Sequence, residues 1–190
     1  MPNKFGVLMV CAALGAVAAR ADAATITLTV GATGAYRTIS AAVAVANADA
    51  SATNYYDIRV APGTYTNDFP TVTRPMTIEV DPLRAGRPVV LNATLPLPNE
   101  KGIILTFASL TVDGLTFQGA TIANSLGGNG AGIRDQMTGS PASLIVRNSS
   151  FIGNQEGILT GSNNSEVVTI INSKFINNGN PDANYYQHAV

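Results

Sequence analysis

Two stretches decide the fold: IVRNSSFIGN, Ile145 to Asn154, and TIINSKFINN, Thr169 to Asn178. Laid one over the other, they share Asn, Ser, Phe, Ile and Asn at the same five places. The offset is constant: Asn172 less Asn148, Phe175 less Phe151 and Asn178 less Asn154 all give 24. Self-similarity at a period of roughly 20 to 50 residues marks a solenoid, in which each repeat buries its apolar face against its neighbour. Three short strands with their turns fill such a length, so this interval fits one rung of a parallel β-helix. Position by position, Val146 then stacks on Ile170, Asn148 on Asn172 and Phe151 on Phe175. The pattern reaches one rung back in LTVDGLTFQG, where Val112 and Phe117 keep the spacing and Gly114 takes the asparagine's place. The step from Phe117 to Phe151 is 34, which predicts an insertion in that rung, within Ala123–Gly130 and Met137–Pro141. The asparagines are expected at a tight corner, pointing inward to satisfy the turn's backbone and bonding one another from rung to rung. The phenylalanines are expected to fill the core beside them.

Only one segment after the first few dozen residues reads as helical. Thr38 is a good N-cap, and in the alanine-rich run after it Ile39, Ala42, Val43 and Ala46 fall on one face at helical spacing. The rest is short β-rich runs broken by turn residues: 24–30, 56–61, 76–80, 89–93, 102–107, 110–117, 143–148 and 167–172. No linker or low-complexity block divides them. The fold expected is all-β, a single domain over 24–190 with four to five rungs.

Residues 1–23 are expected to be a secretory signal peptide. One positive charge in Met1–Lys4, an apolar run Phe5–Ala19 and small residues ending at Ala23 follow that order. The apolar run falls short of the roughly 20 residues a membrane span needs. The only cysteine, Cys11, lies in this leader, so the exported chain is expected to hold by packing and hydrogen bonds alone. The part after residue 23 carries nine Lys and Arg against eleven Asp and Glu. No basic patch tracks a phosphate backbone, so a nucleic-acid partner is not expected. Nor is a membrane partner once the leader is removed. The sequons at Asn92, Asn148 and Asn163 matter only in a glycosylating host.

The ordered features resemble the pectate lyase-like family of right-handed parallel β-helix proteins. Gly34-Ala35-Tyr36-Arg37-Thr38-Ile39 and the helix after it resemble the segment that caps that family's first rung. Asp57–Tyr65, ending in Val60-Ala61-Pro62-Gly63-Thr64-Tyr65, resembles the strand and turn that follow, and the N-S-x-F rungs resemble the repeat region. The likeness covers most of 30–190. It implies a right-handed coil with an N-terminal capping helix, and a polysaccharide as the partner, acted on by β-elimination or hydrolysis or only bound.

The resemblance also implies a substrate groove along the sheet of first strands. Those strands would be Gly132–Asp135, Gly157–Thr160 and His188–Val190, and the groove residues Arg134, Asp135, Glu156, Asp182, Tyr185, Tyr186 and His188. Family lyases hold calcium with acidic residues and use Arg or Lys as the base, so calcium is the cofactor in play. Asp135 and Glu156 are expected to approach across rungs, as carboxylates that are also ordinary surface charges. Tyr185 and Tyr186 suit stacking on sugar rings or packing over the helix end. His188, the only histidine, suits a general base near neutral pH or the surface. The family's hydrolase signatures, Asn-Thr-Asp, Asp-Asp and Gly-His-Gly, do not occur, nor does the methylesterases' Gly-x-Asp-Phe-Ile-x-Gly or a Gly-x-Ser-x-Gly nucleophile turn. This leaves a non-catalytic glycan-binding or adhesin-like surface module as the rival reading. Because the chain stops where a new first strand would begin, missing C-terminal rungs and end-to-end self-association through an open last rung are expected.

Overall fold

Alternation in the sequence becomes alternation of burial. In the strand Ala142–Arg147, Ala142, Leu144 and Val146 are buried while Ser143, Ile145 and Arg147 are partly exposed, as the two-residue period of a strand requires. The structure is a computed structural model and describes residues 24–84, 86–139, 141–161 and 166–179. The proposed signal peptide lies outside the described residues.

Every strand pair is parallel, and the chain visits three sheets in turn. One sheet has six strands, β1 (Thr25–Val30), β2 (Tyr55–Val60), β5 (Met76–Val80), β8 (Leu110–Asp113), β11 (Ala142–Arg147) and β14 (Glu166–Ile171). A second has five, β3 (Gly63–Thr66), β6 (Val89–Asn92), β9 (Leu115–Gln118), β12 (Ser150–Ile152) and β15 (Lys174–Ile176). The third has four, β4 (Thr71–Val72), β7 (Gly102–Thr106), β10 (Ala131–Asp135) and β13 (Glu156–Leu159). From β2 onward the order six-, five-, four-stranded repeats without exception, so the molecule is a parallel β-solenoid.

Its core is a set of columns along the stack. Ile58, Ile78, Val112, Val146 and Ile170 lie in register on the six-stranded sheet. On the five-stranded sheet Phe117, Phe151 and Phe175 stack with ring centroids 4.9 and 4.8 Å apart and planes within 9° of parallel. Burying such a side chain is worth about 1.5–3 kcal/mol, and an aromatic pair adds about 0.5–1.5 kcal/mol. The close approach requires Gly132 on β10: a Cβ there would sit 2.7 Å from Phe151 Cδ1 and 3.1 Å from Phe117 Cβ.

The step of 24 holds for the last rung alone, where Val168 lies opposite Leu144. Leu144 lies opposite Leu110 and Leu110 opposite Met76, a step of 34 each time, and Met76 pairs with Tyr56 after only 20. Of the two places expected for the insertion, only the one before β10 holds it: Phe117 to Ala131 is 14 residues against 5 from Phe151 to Glu156, whereas Ala131 to Ala142 is 11 against 10 from Glu156 to Glu166.

The corner asparagines need correction. Asn148 and Asn172 do occupy the tight corner between the six- and five-stranded sheets, but with φ of 50° and 48°, matching Gly114 at 76°. Their side chains are exposed, and Asn148 donates to Asp113 Oδ1 at 2.7 Å. Asparagine is there because it tolerates the left-handed region better than other side chains. The inward ladder belongs to the last matched position: Asn154 Nδ2 donates to Asn178 Oδ1 at 3.0 Å and to Phe117 O, while Asn178 Nδ2 donates to Phe151 O. Beside the corner, Ser149 N donates to Ser173 Oγ, and Ser149 Oγ accepts from Leu115 N and donates to Arg147 O.

The single α-helix, α1 (Ile39–Ala48), starts at Thr38, whose hydroxyl accepts from Ala41 N at 3.2 Å. The four positions expected on its inner face, Ile39, Ala42, Val43 and Ala46, are its buried ones. It packs on β1, β2 and β4. Asp68, in the turn after β3, accepts from Ile39 N at 2.6 Å and Ser40 N at 3.0 Å, and from the Ser40 hydroxyl, placing a carboxylate at the positive end of the helix. At the other end Arg74 gathers the carbonyls of Ala46, Asp49, Ser51 and Asn54 within 3.1 Å, with its guanidinium over the Tyr56 ring.

Candidate functional site

The four-stranded sheet and its edges carry the residues the sequence nominates. Arg134 and Asp135 end β10 and Glu156 opens β13. The expected approach of Asp135 to Glu156 does not occur, because Glu156 pairs with Ala131, at the opposite end of β10 from Asp135. Both carboxylates are buried, at 0% and 2% exposure, so neither lies on an open groove floor as it stands. Arg134 is half-buried, its Nε is out of solvent without a partner, and burial lowers its pKa against the opposing pull of Asp135. Asp182, Tyr185, Tyr186 and His188 lie outside the described residues.

What Asp135 meets instead is Glu166, the first residue of β14 in the next rung. The two carboxyls share a hydrogen bond, and burial, followed by that bond and the Asp135 charge, pushes Glu166 from 4.5 up to about 8. Asp135 Oδ1 accepts from Met137 N at 2.8 Å. Asp135 Oδ2 and Glu166 Oε1 are buried without a donor. A proton kept on Glu166 supplies that donor, as in other pairs of acids too close for both to ionise. Sequence reasoning passed over Glu166 because its register partner one rung back is Ala142, so no repeat marks the position.

Neutral amides close the loops beside this sheet. Gln155 Oε1 accepts from Ile122 N and Gly130 N at 2.8 Å, and its Nε2 donates to Ile122 O at 3.0 Å, pinning the segment between β9 and β10. Asn99 Oδ1 accepts from Lys101 N and Gly102 N ahead of β7.

Calcium takes six to eight oxygens at about 2.3–2.6 Å. Among the described residues no three His, Cys, Asp or Glu side chains converge to hold a metal. Asp135 and Glu156 are separated, and Glu166 keeps a proton beside Asp135. The described residues therefore do not fit a calcium site. No described helix is long and apolar enough to cross a membrane.

Fold and site together define the class as a mostly β parallel solenoid with one packed helix and a carboxyl pair, buried Asp135 with partly buried Glu166, between its four- and six-stranded sheets. Compared with known proteins, the chain matches no family model, no curated protein and no solved structure at a significant level.

Proposed function

We propose that this chain is an exported, right-handed parallel β-helix of the pectate lyase-like kind, capped at its first rung by α1, and that it binds an extracellular polysaccharide along the stack. The observation that carries the reading is the in-register stacking of four to six parallel strands per sheet. It sets outward side chains in rows at about 4.8 Å per strand, a geometry suited to a linear polymer. Crossovers between parallel strands are right-handed in nearly all sheets, and the apolar leader supports export. The separation and burial of Asp135 and Glu156 favour binding over calcium-assisted elimination.

One observation favours a second reading, turnover by acid–base hydrolysis. A carboxyl held protonated beside a second carboxyl is the arrangement a general acid needs, and Glu166 with Asp135 is such a pair. The test is incubation of the purified chain with uronate-containing and neutral polysaccharides, with and without calcium, following polymer retention, unsaturated products and reducing ends. Retention with neither product is the expected result. Reducing ends that vanish in Glu166→Gln would install the second reading, and a calcium-dependent rise in unsaturated product would restore the lyase. A folded chain retained on no polysaccharide would contradict both.

A further inference from the structure

The three outer faces of the solenoid differ in charge. On the six-stranded sheet three carboxylates, Asp57, Glu79 and Asp113, face two guanidiniums, with Arg59 Nε 2.8 Å from Asp57 and Arg147 Nε 3.2 Å from Asp113. The five strands of the second sheet contain no Asp or Glu at all. Their outward rows mix hydroxyls and amides with a few apolar residues: Thr64, Thr116 and Ser150 fall on one row, interrupted by Val90, and Thr66, Asn92 and Gln118 on another, which ends in Ile152 and Ile176. Gln118 Nε2 donates to Asn92 Oδ1 at 3.1 Å, the start of an amide ladder.

Cations stand at the two ends of this face. At its β3 end two adjoining cavities of about 270 and 360 Å³ share Pro62, Gly63 and Thr64 as a floor, with Arg87 lining one and Arg37 the other. The larger lies in the lower range of small-molecule sites, which span about 300–1,000 Å³. Its one carboxylate, Asp68, has both oxygens engaged by the start of α1. Arg59, Arg74, Arg84 and Arg147 each have a carboxylate within 4 Å. Neither Arg37 nor Arg87 has one among the described residues; Arg37 makes only a 3.4 Å bond to Gly31 O. Both are exposed. The floor between them is open, since a Cβ on Gly63 would meet nothing nearer than Tyr65 Cε2 at 4.0 Å. At the other end Lys174 continues the Thr64 row, four strands on and so about 19 Å away.

We propose that the outer face of the five-stranded sheet is a track for an acidic polysaccharide, with Arg37 and Arg87, one in each of the adjoining cavities, taking carboxylate or sulfate groups and Lys174 facing another. Guanidinium groups pair with both acids in a two-pronged geometry, while the hydroxyl and amide rows meet the neutral sugar surface between charges. The inference rests on the glycan-binding reading and gives it a face other than the four-stranded sheet.

The test uses calorimetric binding of three oligosaccharides of equal length, a uronate, a sulfated galactan and a neutral glucan, at low and high salt. Wild type is compared with Arg37→Ala/Arg87→Ala, Lys174→Ala and Arg134→Ala, each checked for unchanged thermal unfolding. The expected result is salt-sensitive binding of at least one acidic probe, weakened about tenfold or more in the double variant, less in Lys174→Ala and not in Arg134→Ala. The two acidic arms identify the group recognised. Equal affinity of the double variant, or loss in Arg134→Ala instead, overturns the track while glycan binding stands. Binding of the neutral probe alone does the same. Binding of none of the three by the folded chain overturns the track together with the reading it rests on.

Discussion

The first and last rungs of this solenoid are held by opposite means. At the β12–β15 end, identical side chains sit on identical side chains: Phe151 on Phe175, Ser149 beside Ser173, Asn154 on Asn178. At the β1–β4 end only apolar strand positions repeat, Val30 on Val60 and Ile58 on Ile78, and single unrepeated polar residues bridge long stretches of chain. Asp68 caps the helix start, Arg74 gathers its end, and Asn47 ties α1 to β4 by donating to Thr71 O and accepting from Thr73 N. Repetition spreads the stabilisation over many small equal contacts, whereas the β1–β4 end concentrates it in a few residues. Single substitutions should therefore be felt most at the helix end.

Arg74→Ala is the largest expected effect. It strips four backbone carbonyls of a charged donor, each such bond being worth about 1.5–3 kcal/mol, so denaturant titration should show a larger loss than any substitution in the stack. In the stack, Phe151→Ala should cost about 3–5 kcal/mol. Phe175→Ala should cost distinctly less, because Phe175 is only partly buried and has one ring neighbour among the described residues. Equal losses at Phe151 and Phe175 would mean that the last rung is covered like the others. The two kinds of asparagine separate next. Asn154→Ala orphans buried groups at Ala120 N and Phe117 O and should cost about 1–3 kcal/mol. Asn148→Gly should stay within about 0.5 kcal/mol, since the corner asks for a left-handed backbone and little else. A reversal of that order would restore the inward ladder to Asn148.

The two ends also differ in the sign of their pH dependence. Asp49, held by Ser51 N first and then by Asn54 and Tyr56, is lowered from 3.8 to about 2. Its contribution is present above pH 3.8 and is lost as pH falls toward 2. Glu166 has the opposite sign. The folded state keeps a proton that the unfolded chain releases near 4.5, so stability falls as pH rises from 4.5 to about 8 and levels above it. Unfolding midpoints across pH should show that decline in wild type and its absence in Glu166→Gln.

The two ends were also unequally legible. Stacking requires like residues at a fixed interval, so the Phe and Asn positions announced themselves, as did Thr38 and the apolar face of α1. The parallel solenoid followed from them. The role of Asn148 was misread because spacing reveals that a position recurs but not which way its side chain points; the φ near 50° decides that. Gly132, needed for the approach of the Phe stack, recurs as Gly157 one rung on, but a repeated strand glycine does not say which ring approaches it. At the site, Arg134 and Asp135 fell on the expected strand, but the partner of Asp135 depends on strand register. The insertions between rungs hide that register from any fixed period.

Register is the central claim, and cross-linking measures it directly. Directly stacked residues on neighbouring parallel strands lie about 4.8 Å apart, within the roughly 4.4–6.8 Å between Cα atoms that a disulfide accepts. With Cys11 replaced by Ser, the pair Ile145→Cys/Thr169→Cys should oxidise rapidly and completely, since Ile145 pairs with Thr169. The offset pair Ile145→Cys/Ile171→Cys should stay reduced in the folded chain. Cross-linking of the offset pair at the same rate, or of neither, would contradict the stacked repeat from which the rest is argued.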